Sequence, residues 1–233
     1  QLAGFVNVLK EENVSTQVAG FANYAVTING AQIGGLSNIT RKDVKGLQLS
    51  GFLNHAGSLR GLQLAAINIC DTVKSGIPIG VYSHVKKGYR SVEVSTDEAF
   101  HTSLTYKTGI RKFYNIFAVG TDFDKNIYAG YGLGHIIDYT DDFYSSLELS
   151  THVIFDSGNL DYKGYLNQLS YSLDLDISEH LTLFAGPVLN VNIRQDKNIS
   201  KDTPTVAPYT LHDKVYSNTR LQIWIGGKVG VRM

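Results

Sequence analysis

The stretch Gln48-Leu49-Ser50-Gly51-Phe52-Leu53-Asn54 decides how the first part of the chain is read, because it recurs. The same pattern stands at Gln1-Leu2-Ala3-Gly4-Phe5-Val6-Asn7, at Gln17-Val18-Ala19-Gly20-Phe21-Ala22-Asn23 and at Gln32-Ile33-Gly34-Gly35-Leu36-Ser37-Asn38. Weaker copies follow at Gln63-Leu64-Ala65-Ala66-Ile67-Asn68 and Pro78-Ile79-Gly80-Val81-Tyr82-Ser83. They begin at 1, 17, 32, 48, 63 and 78, so the step is 15 or 16 residues, and a fixed period signals a repeat architecture. A step this short excludes a strand–helix unit and suits one coil of a β-solenoid. Six coils at a strand spacing of ~4.8 Å give a stack of roughly 29 Å.

Within a coil, the small residues Gly4, Gly20, Gly35, Gly51 and Ala66 are expected where coils approach closely. Leu, Ile and Phe on either side are expected to fill the interior. Asn7, Asn23, Asn38 and Asn54 are expected to stack as an amide ladder or to close turns. The hydrophilic inserts Lys10–Asn13, Thr40–Asp43 and Asp71–Ser75 fall where turns belong. An antiparallel meander, one strand per repeat, would put the Asn residues at alternate ends and is the less natural arrangement.

Lys86-Lys87-Gly88 marks a boundary, dividing the chain into a repeat array over 1–88 and a second domain over 89–233. Alternation with period two replaces the repeat over eight segments: 89–96, 99–110, 113–122, 126–139, 143–155, 165–177, 181–194 and 218–233. In the fifth, Leu147, Leu149 and Val153 share a face opposite Ser146, Glu148 and His152. In the sixth, Leu169, Tyr171, Leu173, Leu175 and Ile177 oppose Gln168, Ser170, Ser172, Asp174 and Asp176. Segments of 10–14 residues exceed the usual ~5–6 of soluble strands and match strands that cross a bilayer at a tilt. Short connections near Arg111-Lys112, Thr140–Asp142 and Ile177–His180 alternate with connections near 97–98, 123–125, 156–164 and 195–217, and the two longest lie on one side. The fold expected is all-β: a β-solenoid-like array followed by an eight-stranded antiparallel transmembrane β-barrel. An aromatic girdle is expected from Phe113, Tyr114, Phe123, Tyr139, Phe143, Phe155 and Tyr165. A lipocalin-like soluble barrel has the same alternation with the faces exchanged.

Composition agrees with a β protein. The 233 residues include 23 Gly, 14 Tyr and 10 Phe but 4 Pro and 1 Met. Charged residues make up 18%, below the ~25% of soluble domains, and Lys+Arg equal Asp+Glu at 21 each, so no basic excess points to nucleic acid. Cys70 stands alone, which excludes an intrachain disulfide and suggests a buried small hydrophobe. No run of 18 apolar residues forms a membrane helix. The first residues already lie inside a repeat, as expected of a chain trimmed by signal-peptide removal.

The repeat Gln-Leu/Ile-x-Gly-Phe-x-Asn, with Gly76-Ile77-Pro78-Ile79-Gly80-Val81-Tyr82-Ser83, resembles the bacterial surface-repeat family. Phe184-Ala185-Gly186-Pro187 is similar to the penultimate strands of many outer-membrane barrels. The resemblance implies the outer membrane of a diderm bacterium and supplies no established activity.

The function expected is therefore a non-catalytic structural or accessory subunit of an envelope or surface complex. Its expected partners are outer-membrane lipid and other outer-membrane or periplasmic proteins. The alternatives are a soluble ligand-binding barrel and a small channel. A channel must contend with lumen charges at Glu93, Lys107, Glu148, Asp174, Asp176, Arg194, Lys228 and Arg232, which are expected to pair as a plug. A lipid hydrolase would draw on His101 and His152 near Ser103 and Ser150, but no Gly-x-Ser-x-Gly or His-Glu-x-x-His motif supports it. No catalytic, cofactor-binding or metal-binding residue is singled out: Asp138, Asp141 and Asp142 read as solvated turn acids. Trp224 is expected to face the lumen, and Asp196, Lys197, Lys201, Asp202 and Pro204 to form an external contact loop.

Overall fold

A computed structural model of the chain describes residues 1–10, 14–195, 207 and 209–233. Every regular element among them is a strand. The chain divides into two compact units, 1–90 with 108–115, and 91–107 with 116–233.

The first unit holds β1 (Leu2–Ala3), β2 (Val6–Val8), β3 (Val14–Ala19), β4 (Ala22–Ala25), β5 (Ile28–Gly34), β6 (Ser37–Ser50), β7 (Leu53–Leu64), β8 (Ile67–Ile79) and β9 (Tyr82–Val85). All pairings are parallel, which excludes the meander, and they join equivalent positions of successive repeats: Leu2, Val18, Ile33, Leu49, Leu64 and Ile79 form one column. Six stacked strands separated by five steps make a β-solenoid of about five turns. The count falls short of six coils because the last copy supplies only Pro78-Ile79 and the short strand β9. The inserts 40–43 and 71–75 are not free turns. The ladder runs through them as register shifts between Thr40 and Asp43 and opposite Leu59–Arg60. The insert 10–13 lies largely outside the described residues.

Two amide ladders run through the interior. Gln17 donates to Gln1 (3.2 Å), Gln32 to Gln17 (2.8 Å), Gln48 to Gln32 (2.8 Å) and Gln63 to Gln48 (2.6 Å). The Asn ladder runs in the other sense, Asn7 to Asn23 (2.9 Å), Asn23 to Asn38 (2.8 Å), Asn38 to Asn54 (3.0 Å) and Asn54 to Asn68 (3.2 Å). Each of these Nδ2 groups, with that of Asn68, also donates to a backbone carbonyl of the neighbouring strand segment at 2.7–3.0 Å. A buried amide is tolerated only when its hydrogen bonds are made, and here the repeat makes them.

The Phe and Leu of the motif do not fill this interior. Phe5, Phe21, Leu36, Phe52 and Val81 stand exposed at the corner, and the Phe5 and Phe21 rings stack at 4.8 Å. The reason is local: each of these residues sits in a two-residue bend between strands, where the alternation that turns Gln and Asn inward is interrupted and the corner side chain turns out. Ile28, Val44, Leu59, Ala56, Cys70 and Val85 supply the apolar part of the core. The last coil is closed by the 108–115 segment: Asn115 accepts from the Ser83 N–H (2.9 Å) and donates to the Gly80 carbonyl (2.8 Å), while Thr108 donates to the Ser83 carbonyl (3.1 Å). Tyr114 is fully buried beside Tyr89 in this unit, and so is not a girdle residue.

The other sheet is antiparallel and holds β10 (Tyr89–Asp97), β11 (Thr102–Ile110), β12 (Phe113–Thr121), β13 (Asn126–Asp138), β14 (Phe143–Asp156), β15 (Tyr162–Ser178), β16 (Leu181–Gln195), β17 (His212–Tyr216) and β18 (Thr219–Arg232); apart from residues 89–90 and 108–115 it makes up the second unit. Order follows sequence, except that β18 pairs β16 directly and also pairs β10 from Glu93↔Arg232 to Asp97↔Lys228. The ladder thus returns to its first strand. The 195–217 connection is not all loop: its end, β17, pairs with Thr219–Ile223 of β18, pinned by Asp213 bound to Arg220 at 2.6 and 2.8 Å. The proposed contact residues 196–204 lie outside the described residues.

Two measurements test the solenoid. Gly61 has φ +138°, and a Cβ there would lie 2.0 Å from the Gly46 carbonyl oxygen. Gly61→Ala should abolish the cooperative unfolding of the solenoid, whereas Gly158→Ala, in an exposed turn, should leave the thermal melt unchanged. Cys70 is buried and donates to Gln63 Oε1 (2.7 Å). Burial first, then the Asp71 charge, push its thiol up to about 12 against the lowering effect of Gln63, so the neutral thiol persists at pH 8. Iodoacetamide should label Cys70 at pH 8 only after denaturation.

Candidate functional site

Alternation along the sheet sorts chemistry by face. A row crossing five strands, Leu133–Leu149–Leu169–Leu189–Ile225, is paired residue by residue on the open face, and Leu149 is 59% exposed. One residue along each strand, the side chains point to the buried face, and there they are polar: Glu93, Ser95, Lys107, Ser146, Glu148, Asp174, Asn190, Asn192 and Arg232 are all buried.

Six charges from five strands meet on that face. Lys107 Nζ donates to Glu93 Oε2 and Glu148 Oε1, both at 2.5 Å. Lys228 Nζ lies 2.7 Å from Glu93 Oε1, and Arg232 reaches Glu93 at 3.0 Å and Asp174 at 2.9 Å. Three cations thus answer three carboxylates, with Ser146 donating to Asp174 (2.8 Å). The Phe184 ring lies 5.0–5.9 Å from all three cations and adds a cation–π contribution. Sequence reasoning named these six. Asp176 and Arg194, named with them, do not join: Asp176 accepts from Thr182 (2.5 Å) near a turn, and Arg194 lines a surface groove with Asp156 and Lys163.

Farther along the strands lies a cavity of about 20 Å³, lined by Asp97, Ser103, Tyr128, Ser150, His152, Gln168 and Lys228 among others. That is space for about one water molecule. His152 Nε2 stands 2.9 Å from Ser150 Oγ, but His152 Nδ1 has no hydrogen-bond partner among the described residues, so the pair lacks an orienting group. His101 sits elsewhere, exposed, against the Asp122 carbonyl at 2.8 Å.

Over this cavity the β10–β11 connection folds inward. Asp97 accepts from the Ala99 and Phe100 N–H groups (2.9 and 2.7 Å), and Phe100 is seated over Tyr128 with centroids 3.9 Å apart. Glu98 accepts from Trp224 Nε1 (2.8 Å), Asn190 Nδ2 (2.8 Å) and the Gly227 N–H (3.0 Å). A Cβ at Gly226 would overlap this carboxylate, which accounts for glycine there. Ala99, Phe100, Ala118, Tyr128, Ile154, Leu166 and Trp224 form an apolar cap. Sequence reasoning read 97–98 as a plain external turn and missed this inward loop. The signal was present: Ala99-Phe100 is an apolar pair directly after two acids, Asp97 and Glu98, in what should have been a polar tip.

Comparison with family models, with curated proteins and with solved structures gives no match. The geometry therefore stands by itself.

Removing the Glu98 carboxylate takes the acceptor from the buried Trp224 Nε1 and one of the two acceptors from Asn190 Nδ2. Glu98→Ala should cost about 2–4 kcal/mol in a denaturant titration and shift Trp224 emission to the red.

Proposed function

We propose that residues 89–233 form an eight-stranded transmembrane β-barrel in the outer membrane of a diderm bacterium, carrying the 1–88 solenoid as a structural or accessory element of an envelope complex. One observation carries this reading: the sheet of the second unit exposes Leu, Ile and Val and buries Glu, Asp, Lys and Arg. In water that polarity wastes the hydrophobic effect, since each exposed Leu forgoes about 1.5–3 kcal/mol of burial. In hydrocarbon it is the stable arrangement, and the pairing of β10 with β18 supports it, because lipid tolerates no unpaired strand edge. Strands of 9–17 residues support it as well, meeting or exceeding the ~9–11 needed to cross. Phe123, Tyr139, Phe143 and Tyr165, exposed at or near strand ends, fit interfacial anchoring.

The charge cluster and the Phe100 cap fill the lumen of such a barrel, which favours an anchor over a conduit. The same filling disfavours a lipocalin-like reading, which needs a ligand-sized apolar interior. Solenoids serve as stacked recognition surfaces, and the repeat motif is read here as that of the bacterial surface-repeat family.

Two measurements test the reading. In reconstituted vesicles, lipids brominated along the acyl chain should scarcely quench Trp224, which points away from the apolar face. A tryptophan at Leu149→Trp, in a Trp224→Phe background, should be quenched strongly. Equal quenching of the two positions contradicts the assignment of faces. Leu149→Arg should also block insertion, at a cost of about 2–4 kcal/mol near the bilayer midplane.

A further inference from the structure

The solenoid carries a charge that the chain as a whole conceals. The first unit, 1–90 with 108–115, holds eleven Lys and Arg against four Asp and Glu, whereas the whole chain balances at 21 each. The excess is organised. Lys45 stands directly opposite Arg60 in the parallel register of β6 and β7, and Lys74 is the extra residue where β8 slips against β7 between Val73 and Ser75. All three are exposed, on the segment of each coil whose alternate residues, Val44, Leu59 and Val73, face the core. The adjoining corner adds Arg41, Lys86 and Lys87, also exposed.

None of these six cations has an ion-pair partner among the described residues, although Asp43 and Asp71 lie on the same segments. Like charges in register on adjacent strands repel. An unpaired cationic column one strand spacing apart is arranged for a multivalent anion. The occupant follows from chain continuity: only Lys86-Lys87-Gly88 separates β9 from β10, the first strand of the sheet with the apolar exterior. Near an anionic headgroup surface, each added cation strengthens the attraction.

We infer that the Lys45–Arg60–Lys74 column, with Arg41, Lys86 and Lys87, is a docking surface for the phosphate headgroups of anionic lipid, holding the solenoid against the membrane its own barrel spans. This rests on the membrane reading above. Docking is multivalent and electrostatic, so it is lost at high salt.

The test is lysine acylation by an N-hydroxysuccinimide ester, read residue by residue by mass spectrometry, on the full chain in nanodiscs. Discs of phosphatidylcholine alone are compared with discs that also contain phosphatidylglycerol. Lys45, Lys74, Lys86 and Lys87 should react at least five-fold more slowly in the anionic discs, and high salt should restore the rate. Lys45→Gln/Arg60→Gln/Lys74→Gln, whose changes are all exposed, should lose the protection of Lys86 and Lys87 while still inserting. Equal rates in the two discs overturn the inference. So does protection by soluble inorganic polyphosphate without protection by phosphatidylglycerol, which assigns the column to a soluble polyanion. Failure of the chain to enter discs at all contradicts the membrane reading instead.

Discussion

A charge or amide withdrawn from water destabilises a fold unless its partners are in place, by several kcal/mol for an unpaired ion. Both units of this chain bury polar side chains, and both depend on pairing most of them with one another. In the solenoid the satisfaction is one-dimensional, since each Gln and Asn passes its hydrogen bond to the same residue one coil away. In the sheet it is a neutral knot of six charges around Lys107 and Glu93. Loss of one member of either set strands its neighbours, which makes these residues less replaceable than the apolar ones that face outward.

The two solutions share a consequence. When the inside is polar, apolar side chains are displaced outward. The Leu rows of the sheet follow from strict alternation next to an inward polar residue, and the corner Phe and Leu residues of the solenoid are turned out at the bends between its strands. For the sheet, the proposed hydrocarbon surround would turn that exposure from a cost into a reason for insertion. For the solenoid, the exposed Phe5–Phe21 ridge joins the cationic column as surface available to partners.

Much of this was legible in the sequence because periodicity encodes it. The 15–16-residue step fixed the coil, and period two located the long strands to within a few residues. The buried charges were readable because Glu148 and Asp174 each sit out of phase with a Leu run. What alternation could not supply was anything dependent on a turn. The inward fold of Glu98–Phe100, the strand at His212–Tyr216 and the burial of Tyr114 all follow from where a connection bends. The interior of the solenoid was misjudged for a different reason. Hydrophobic residues were assigned inward by default, although the recurrence of Gln and Asn at fixed positions already signalled an amide-lined core. The glycine column Gly30–Gly46–Gly61–Gly76, with positive φ throughout, was present at the same period and went unused.

The central claim is that the apolar face of the second unit is a lipid surface. Flotation tests it most directly: the full chain is refolded from denaturant with phosphatidylcholine vesicles and centrifuged through a density gradient after an alkaline carbonate wash. The account predicts that the chain rises with the vesicles and resists extraction. A chain left at the bottom of the gradient as a soluble, monodisperse species that needs no detergent would contradict it.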